Sequence, residues 1–257
     1  MKPNANIAVL ILVACIGFSQ LFSQFAAAAP PVAEGGIAGG GGHALVCSDG
    51  RYYSFDYKVT EGQEALNPDL QRICDENAAA IFRMSSPELA MDSRRKAATD
   101  ILANIAHNLK SRSPLMGANL EEFIESIRSD IFQPGGGSRY WSRGRVPLSG
   151  RPSSRLRIPR DCLALGQMRV AQAVIRFNAE DGVVRYTTDE NVLDSLSNNS
   201  PMQLSFLYMH EFLRDYTEDY DALANGARLL HGSSWLNSNR AGLQTAFRRI
   251  GLDTSRF

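Results

Sequence analysis

The chain has 257 residues and carries 27 basic against 27 acidic side chains, so overall charge gives it no pull toward nucleic acid or anionic lipid. Once an export signal is discounted, roughly 220 residues remain, enough for one sizeable core or two small ones.

The N-terminus reads as that signal. Lys2 supplies a weakly basic start, Ile7 to Phe22 is continuously apolar apart from Ser19 and Gln20, and Ala26 to Ala29 offer the small residues signal peptidase requires. Cleavage is expected after Ala28, making residues 1–28 the signal peptide, because a cut after Ala29 would leave Pro30 first. Leu12 to Cys15, "LVAC", also satisfies a bacterial lipobox; lipidation of Cys15 would anchor the chain to a membrane. Apolar residues continue past Cys15, which favours the unanchored, periplasmic or secreted form. No later window approaches the ~20 apolar residues of a spanning helix. Cys47, Cys74 and Cys162 remain after cleavage, an odd number in a compartment that permits disulfides. Three pairings are open. Cys47 with Cys162 is preferred, since each borders an expected strand while Cys74 lies on the apolar side of an expected helix.

Residues 29–43 are rich in Gly and Pro and are expected to be a flexible tether, with His43 as one exposed, inert imidazole. A single α+β domain is expected over 44–257. It opens with a hairpin around Asp49-Gly50, whose second strand alternates through Tyr53, Phe55, Tyr57 and Val59. Three amphipathic helices follow. Asn67-Pro68 opens the first, Ser86-Pro87 the second, and Asn119 the third, with Leu120, Phe123, Ile124 and Ile127 as its stripe. His107 falls off the stripe of the second and reads as a surface residue.

Gln133 to Arg160 breaks the helical pattern and holds seven Arg with no acidic residue. Its Arg143, Arg145, Arg155 and Arg157 are anion-binding candidates, with Tyr140 and Trp141 as aromatic partners. A solvated hairpin or loop is the stronger reading, because charge runs between Pro and Gly usually mark surface connections. No nucleic-acid-binding motif accompanies it. Strands resume after Cys162 and pair around Asp181-Gly182; a helical turn at Asp189 to Leu196 leads into the most informative stretch.

That stretch is "SPMQLSFLYMHEFLRDY", Ser200 to Tyr216. Ser200 caps a helix, Pro201 takes its first position, and Gln203 is expected to complete a capping box by reaching back to the Ser200 amide. His210 and Glu211 then sit about 100° apart beside an apolar stripe, where unpaired polar groups are costly. In a catalytic reading His210 is a zinc ligand and Glu211 the general base, with further ligands from Asp219, Asp221 or His231. Arg214 stands where a second His would complete that motif, and a permanent cation there repels a metal. In the preferred structural reading Glu211 pairs with Arg214 or Arg228, His210 bonds a carbonyl or neighbouring side chain, and the cluster clamps the two C-terminal helices without a cofactor. Neither a Gly-x-Ser-x-Gly elbow nor a Cys/His nucleophile signature is present.

Three segments together, "GGGGHALVC" (Gly39 to Cys47), "PRDCLALGQ" (Pro159 to Gln167) and "LYMHEFLRDYTEDYDALANGAR" (Leu207 to Arg228), resemble a family of exported proteins of predatory and related proteobacteria. That resemblance implies location and layout, and brings no reaction with it. The Arg-rich segment and the C-terminal extension, with its helix through Leu243, Phe247 and Ile250, depart from the pattern. The expectation is therefore an exported, non-catalytic envelope protein with a small antiparallel sheet packed on helices, binding an envelope protein or polymer. Membrane association is expected only through a lipidated Cys15. The alternative is a zinc hydrolase of envelope peptide or glycan.

Overall fold

In the computed structural model Gly42 and His43 are buried. The structure describes residues 42–81, 84, 86–128, 139–146, 154–164, 167–168, 170–178 and 183–255, all within a compact unit spanning Ile37–Phe257. The expected signal peptide, lipobox and most of the tether lie outside these residues. His43, expected to be exposed, instead begins the central strand of a sheet.

Strand β1 (His43–Val46) pairs antiparallel with β2 (Tyr52–Ser54) across a turn in which Gly50 takes a φ of +76°, the left-handed conformation that favours glycine. The expected continuation of β2 through Val59 is instead a helix, α1 (Phe55–Thr60). The ladder stops because the Ser54 amide donates to Gln203 Oε1 at 2.8 Å. Helical spacing then buries Phe55 with Val59 and Asp56 with Thr60. Helices α2 (Pro68–Ile81) and α3 (Pro87–Lys110) start where the Asn and Ser caps foretold; Asn67 accepts from Asp69 N at 3.0 Å and Ser86 from Leu89 N at 3.4 Å. Helix α4 (Pro114–Arg128) starts five residues before Asn119, because Ser113-Pro114 repeats the Ser-Pro signature of α3.

Strand β3 (Arg139–Arg143) comes next, then a 3-10 turn at Arg160–Cys162 and the short strands β4 (Leu163–Ala164), β5 (Gln167–Met168) and β6 (Val170–Gln172). The longer strands β7 (Val174–Asn178) and β8 (Val184–Thr188) follow. Sheet β2-β1-β6 is antiparallel, while sheet β3-β8-β7 is mixed, because β3 runs parallel to β8. Helices α5 (Glu190–Asn199), α6 (Pro201–Leu213), α7 (Tyr220–His231) and α8 (Arg240–Arg249) complete an α+β fold. As expected, Leu243 and Phe247 of α8 are buried and His107 on α3 is exposed.

Every residue of α6 is buried, which makes it the axis of the molecule. Helices α2, α3, α5 and α7 pack around it. Its apolar side chains join Ile101, Leu102 and Ile105 of α3 and Phe123 of α4 in the main core. Trp141 of β3 stacks on Tyr186 of β8 at 4.1 Å, and Phe123 meets both edge-on. A smaller core of Leu45, Phe55, Val59, Tyr220 and Ala224 surrounds the Cys47–Cys162 disulfide, the expected pairing. Closing 115 residues, that bond restricts the unfolded chain by about 4–5 kcal/mol on the chain-entropy account. Cys74 stays a buried free thiol, its pKa pushed up by burial to about 11.

Candidate functional site

Helix α6 changes character at its C-terminal end. Ser200 caps it by accepting from Met202 N at 3.1 Å, yet Gln203 forms no capping box, being spent on the Ser54 amide. Seven residues later the helix delivers His210 and Glu211 into the interior, with 2% and 0% of their surface exposed.

His210 Nδ1 lies 2.7 Å from Asp56 Oδ2, an equally buried carboxylate on α1. The apolar face of α1 explains the placement: Phe55 and Val59 seat the helix on the small core, and Asp56 turns toward α6. Glu211 Oε1 accepts the Gly42 amide at 2.5 Å, and its Oε2 faces Arg214 Nη1 at 3.8 Å. Gly42 must be glycine here, since a Cβ would fall inside contact distance of Leu207 Cδ1 and 3.0 Å from Glu211 Oε1. Arg214 also approaches Glu218 at 3.6 Å. The Tyr220 hydroxyl bonds His43 Nδ1, and its ring centroid lies 4.9 Å from that of His210. One residue past Arg214, Asp215 takes Arg176 of β7 on one oxygen at 2.5 Å and Arg139 of β3 on the other at 2.8 Å. The polar end of α6 thus grips both three-stranded sheets, through Gly42 beside β1 and through the two arginines.

Electrostatics separates two buried histidines. At His210 burial opposes charge, but Asp56 and Glu211 outweigh it and hold the pKa above the ordinary value against a smaller opposing effect of Arg214. His231 on α7 has no carboxylate. Burial lowers its pKa to about 4, its Nδ1 donates to the Ala227 carbonyl at 2.8 Å, and Nε2 pairs with Ser205 Oγ at 2.9 Å. The Ser205–His231 pair went unseen in the sequence. It lacks the acid that would orient a nucleophile's base, and both residues are fully buried. Burial and the neighbouring Asp56 and Glu211 raise the Tyr220 phenol well above its usual range.

Several expected partners are absent from the cluster. Arg228 is half-buried on α7 and forms no ion pair with Glu211, whose Oε1 holds the Gly42 amide and whose Oε2 faces Arg214 at 3.8 Å. The clamp therefore joins α6 to α1, β1 and the sheets more than to α7. Asp219 caps α7 through Ala222 N at 2.8 Å, Asp221 accepts from Ser154 Oγ at 2.6 Å, and His231 is occupied as described. None of these three meets His210. Among the described residues the group of three ligand-type side chains that converge is Cys47, Asp161 and Cys162, whose sulfurs are bonded to each other. Asp56 could have been found by reading residues 55–60 as a helix with Phe55 and Val59 inward. Nothing local pointed to Gly42.

Three buried atoms of the cluster, His210 Nε2, Asp56 Oδ1 and Glu211 Oε2, lack a hydrogen-bond partner among the described groups. Buried polar atoms of this kind recruit internal water. The Arg-rich segment divides: Arg143 is paired with Glu190, while Arg145, Arg155 and Arg157 are exposed.

Comparison with known proteins finds no matching family model, no matching curated protein and no matching solved structure.

Proposed function

We propose that this is an exported cell-envelope protein that binds a partner and turns over no substrate, its His-Glu pair serving as an internal fastener. Export is supported by the apolar N-terminal stretch and by a disulfide, which belongs to a non-reducing compartment. Among the described residues no helix is long and apolar enough to cross a membrane. The resemblance to exported proteins of predatory and related proteobacteria points the same way.

One observation carries the fastener reading: Glu211 is fully buried, with one oxygen on the Gly42 amide and the other toward Arg214. A general base must reach a substrate's proton or a metal-bound water, and this carboxylate is committed to the fold. The rival reading, a zinc hydrolase with His210 as ligand and Glu211 as base, draws on His210 Nε2, Asp56 Oδ1 and Glu211 Oε2, all buried without a hydrogen-bond partner among the described residues. An Nδ1 held by a carboxylate is also how metal-binding histidines are oriented.

Glu211→Gln separates the two. As a fastener it loses about 1–3 kcal/mol of charge-assisted bonding, lowering Tm by several degrees. As a base it would keep its Tm and lose all hydrolysis. Protein purified without chelator or His-tag is expected to carry no stoichiometric zinc; about one ion per chain, held through His210, would overturn the proposal.

A further inference from the structure

Away from the polar end of α6, the sulfurs of Cys47 and Cys162 and a carboxylate oxygen of Asp161 lie within 4.8 Å of one another. Separate parts of the chain bring them together. Cys47 follows directly on β1, and Cys162 ends the 3-10 turn that is folded onto the small core. Asp161 is held from two sides: its carbonyl accepts the Ser48 amide at 2.6 Å, and its carboxylate faces Lys58 of α1 at 3.5 Å. Asp161 is thus tied to the Cys47 side of the pair as well as to its neighbour Cys162.

Burial divides the three groups. The cysteines have 1% and 0% of their surface exposed and pack with Leu45, Phe55, Val59 and Tyr220, whereas 51% of the Asp161 side chain is open to solvent. An ion arriving from water therefore meets the carboxylate first and the sulfurs behind it. Thiols in apolar surroundings do not ionise readily on their own; at the free Cys74, burial pushes the pKa up to about 11. A bound dication overrides this, because a coordinating thiol is deprotonated outright. Two thiolates and a carboxylate around a doubly charged ion leave one negative charge in excess, and Lys58, which also meets Glu61 at 3.0 Å, stands beside it. Sulfur ligands select against calcium and magnesium, which take oxygen. Two sulfurs with one oxygen leave a fourth tetrahedral position for water, a set that suits zinc.

We propose that Cys47, Cys162 and Asp161 form a zinc site in the dithiol form of the protein, and that the Cys47–Cys162 disulfide is the metal-free state of the same site. Every chain passes through the dithiol form before the bond is made, and a dithiol reductant restores it. The reductant delivers two electrons and two protons to the sulfur–sulfur bond and becomes a disulfide itself, leaving Cys47 and Cys162 as thiols. Zinc then replaces one proton on each sulfur, and both protons pass to solvent. This inference concerns a different cluster from Glu211 and does not depend on the fastener reading.

The test is zinc uptake by the folded protein, reduced with a water-soluble phosphine in the absence of air and then freed of the phosphine, against the same protein left oxidised. The reduced protein is expected to bind about one zinc per chain and the oxidised protein none. Cadmium in place of zinc should give the ultraviolet sulfur-to-metal charge-transfer band, which an ion held through His210 cannot give. Asp161→Ala should weaken zinc binding roughly tenfold or more while keeping the cadmium band, and Cys74→Ala should change neither. Far-UV spectra and thermal melts of the reduced protein, with and without zinc, verify that it is folded, and zinc is expected to raise its Tm. A disulfide that the phosphine cannot open, no uptake by the reduced protein, equal uptake by the oxidised protein, binding indifferent to Asp161→Ala, or a reduced chain that stays unfolded with zinc present overturns the proposal. None of these results moves the Glu211→Gln melt of the oxidised protein, so this inference and the fastener reading fail independently.

Discussion

Two histidines, His210 on α6 and His231 on α7, are equally removed from water, yet their environments push them in opposite directions. At His231 the surroundings are a backbone carbonyl, a hydroxyl and the stacked ring of Phe206 at 3.9 Å, so desolvation decides and the neutral form is kept. At His210 an adjacent carboxylate decides and charge is favoured. Burial alone therefore does not fix the state of a group here; the nearest partner does. The same contrast divides α6: its middle is held by apolar packing, its C-terminal end by ion pairs and hydrogen bonds to β1, α1 and both sheets.

The largest expected effect comes from removing one member of the charged end. Asp56→Ala leaves His210 buried without its carboxylate, and Arg214→Ala leaves Glu211 without its guanidinium. Each is expected to cost about 3–5 kcal/mol, on the order of 10 °C in Tm for a chain of this size. In Asp56→Ala the His210 titration, followed by NMR, should also move down, because the larger of the two carboxylate effects that oppose desolvation is gone and Glu211 alone remains. A His210 that kept its raised pKa would show that Asp56 is not the deciding partner.

Next in size is the response to pH, where the two histidines oppose each other. His231 has a folded pKa of about 4 against an ordinary 6.5, so between those values the unfolded chain binds more protons. Its contribution, about 3 kcal/mol, is present above pH 6.5 and lost as pH falls toward 4. The raised pKa of His210 acts with the opposite sign: its contribution is present below pH 6.5 and fades as pH rises through the folded value. Chemical denaturation across pH should thus show an acid limb that His231→Phe flattens and an alkaline limb that Asp56→Asn flattens. Ser205 keeps the Met202 carbonyl at 2.8 Å as an acceptor in His231→Phe, so the variant tests titration without stranding a hydroxyl.

Most of the frame was legible in the sequence because its signals are local. Caps at Asn67, Ser86 and Ser200 and the hairpin glycine act within a few residues, and the burial of Leu243 and Phe247 follows from helical spacing. The Cys47–Cys162 pairing was reached by placing each cysteine beside a strand. Residues 55–60 read as strand because Phe55, Tyr57 and Val59 continue the alternation begun at Tyr53, a pattern too short to exclude a single helical turn, and the Gln203 side chain that ends the ladder lies 149 residues from Ser54. The partners of the His-Glu pair are equally remote: Asp56 is 154 residues from His210, and Gly42 is 169 residues from Glu211. The sequence marked the pair as needing partners but carried no local sign of which.

Gly42→Ala probes that remote contact directly. The new methyl meets Leu207 and Glu211, so the strand must shift and the Gly42 amide bond lengthens; about 1–3 kcal/mol of stability should be lost, visible in the denaturation midpoint. An unchanged midpoint would mean that the β1 entry is looser than the Glu211 contact implies.

The smallest effect is the most discriminating, because it compares like with like. Arg72 pairs with Glu76 on α2 at 2.8 Å, closer than the 3.8 Å between Arg214 and Glu211, and both pairs lie one helical turn apart in sequence. Distance alone would make the Arg72 pair the stronger. Its side chains are about 60% exposed, however, against 2% and 0% for the inner pair, so water and salt screen the attraction and solvate whichever partner remains. Arg72→Ala is therefore expected to leave Tm unchanged within error, while Arg214→Ala lowers it sharply. If the two substitutions cost the same, the stability of this molecule does not depend on the buried polar end of α6, and Glu211 is free for another role.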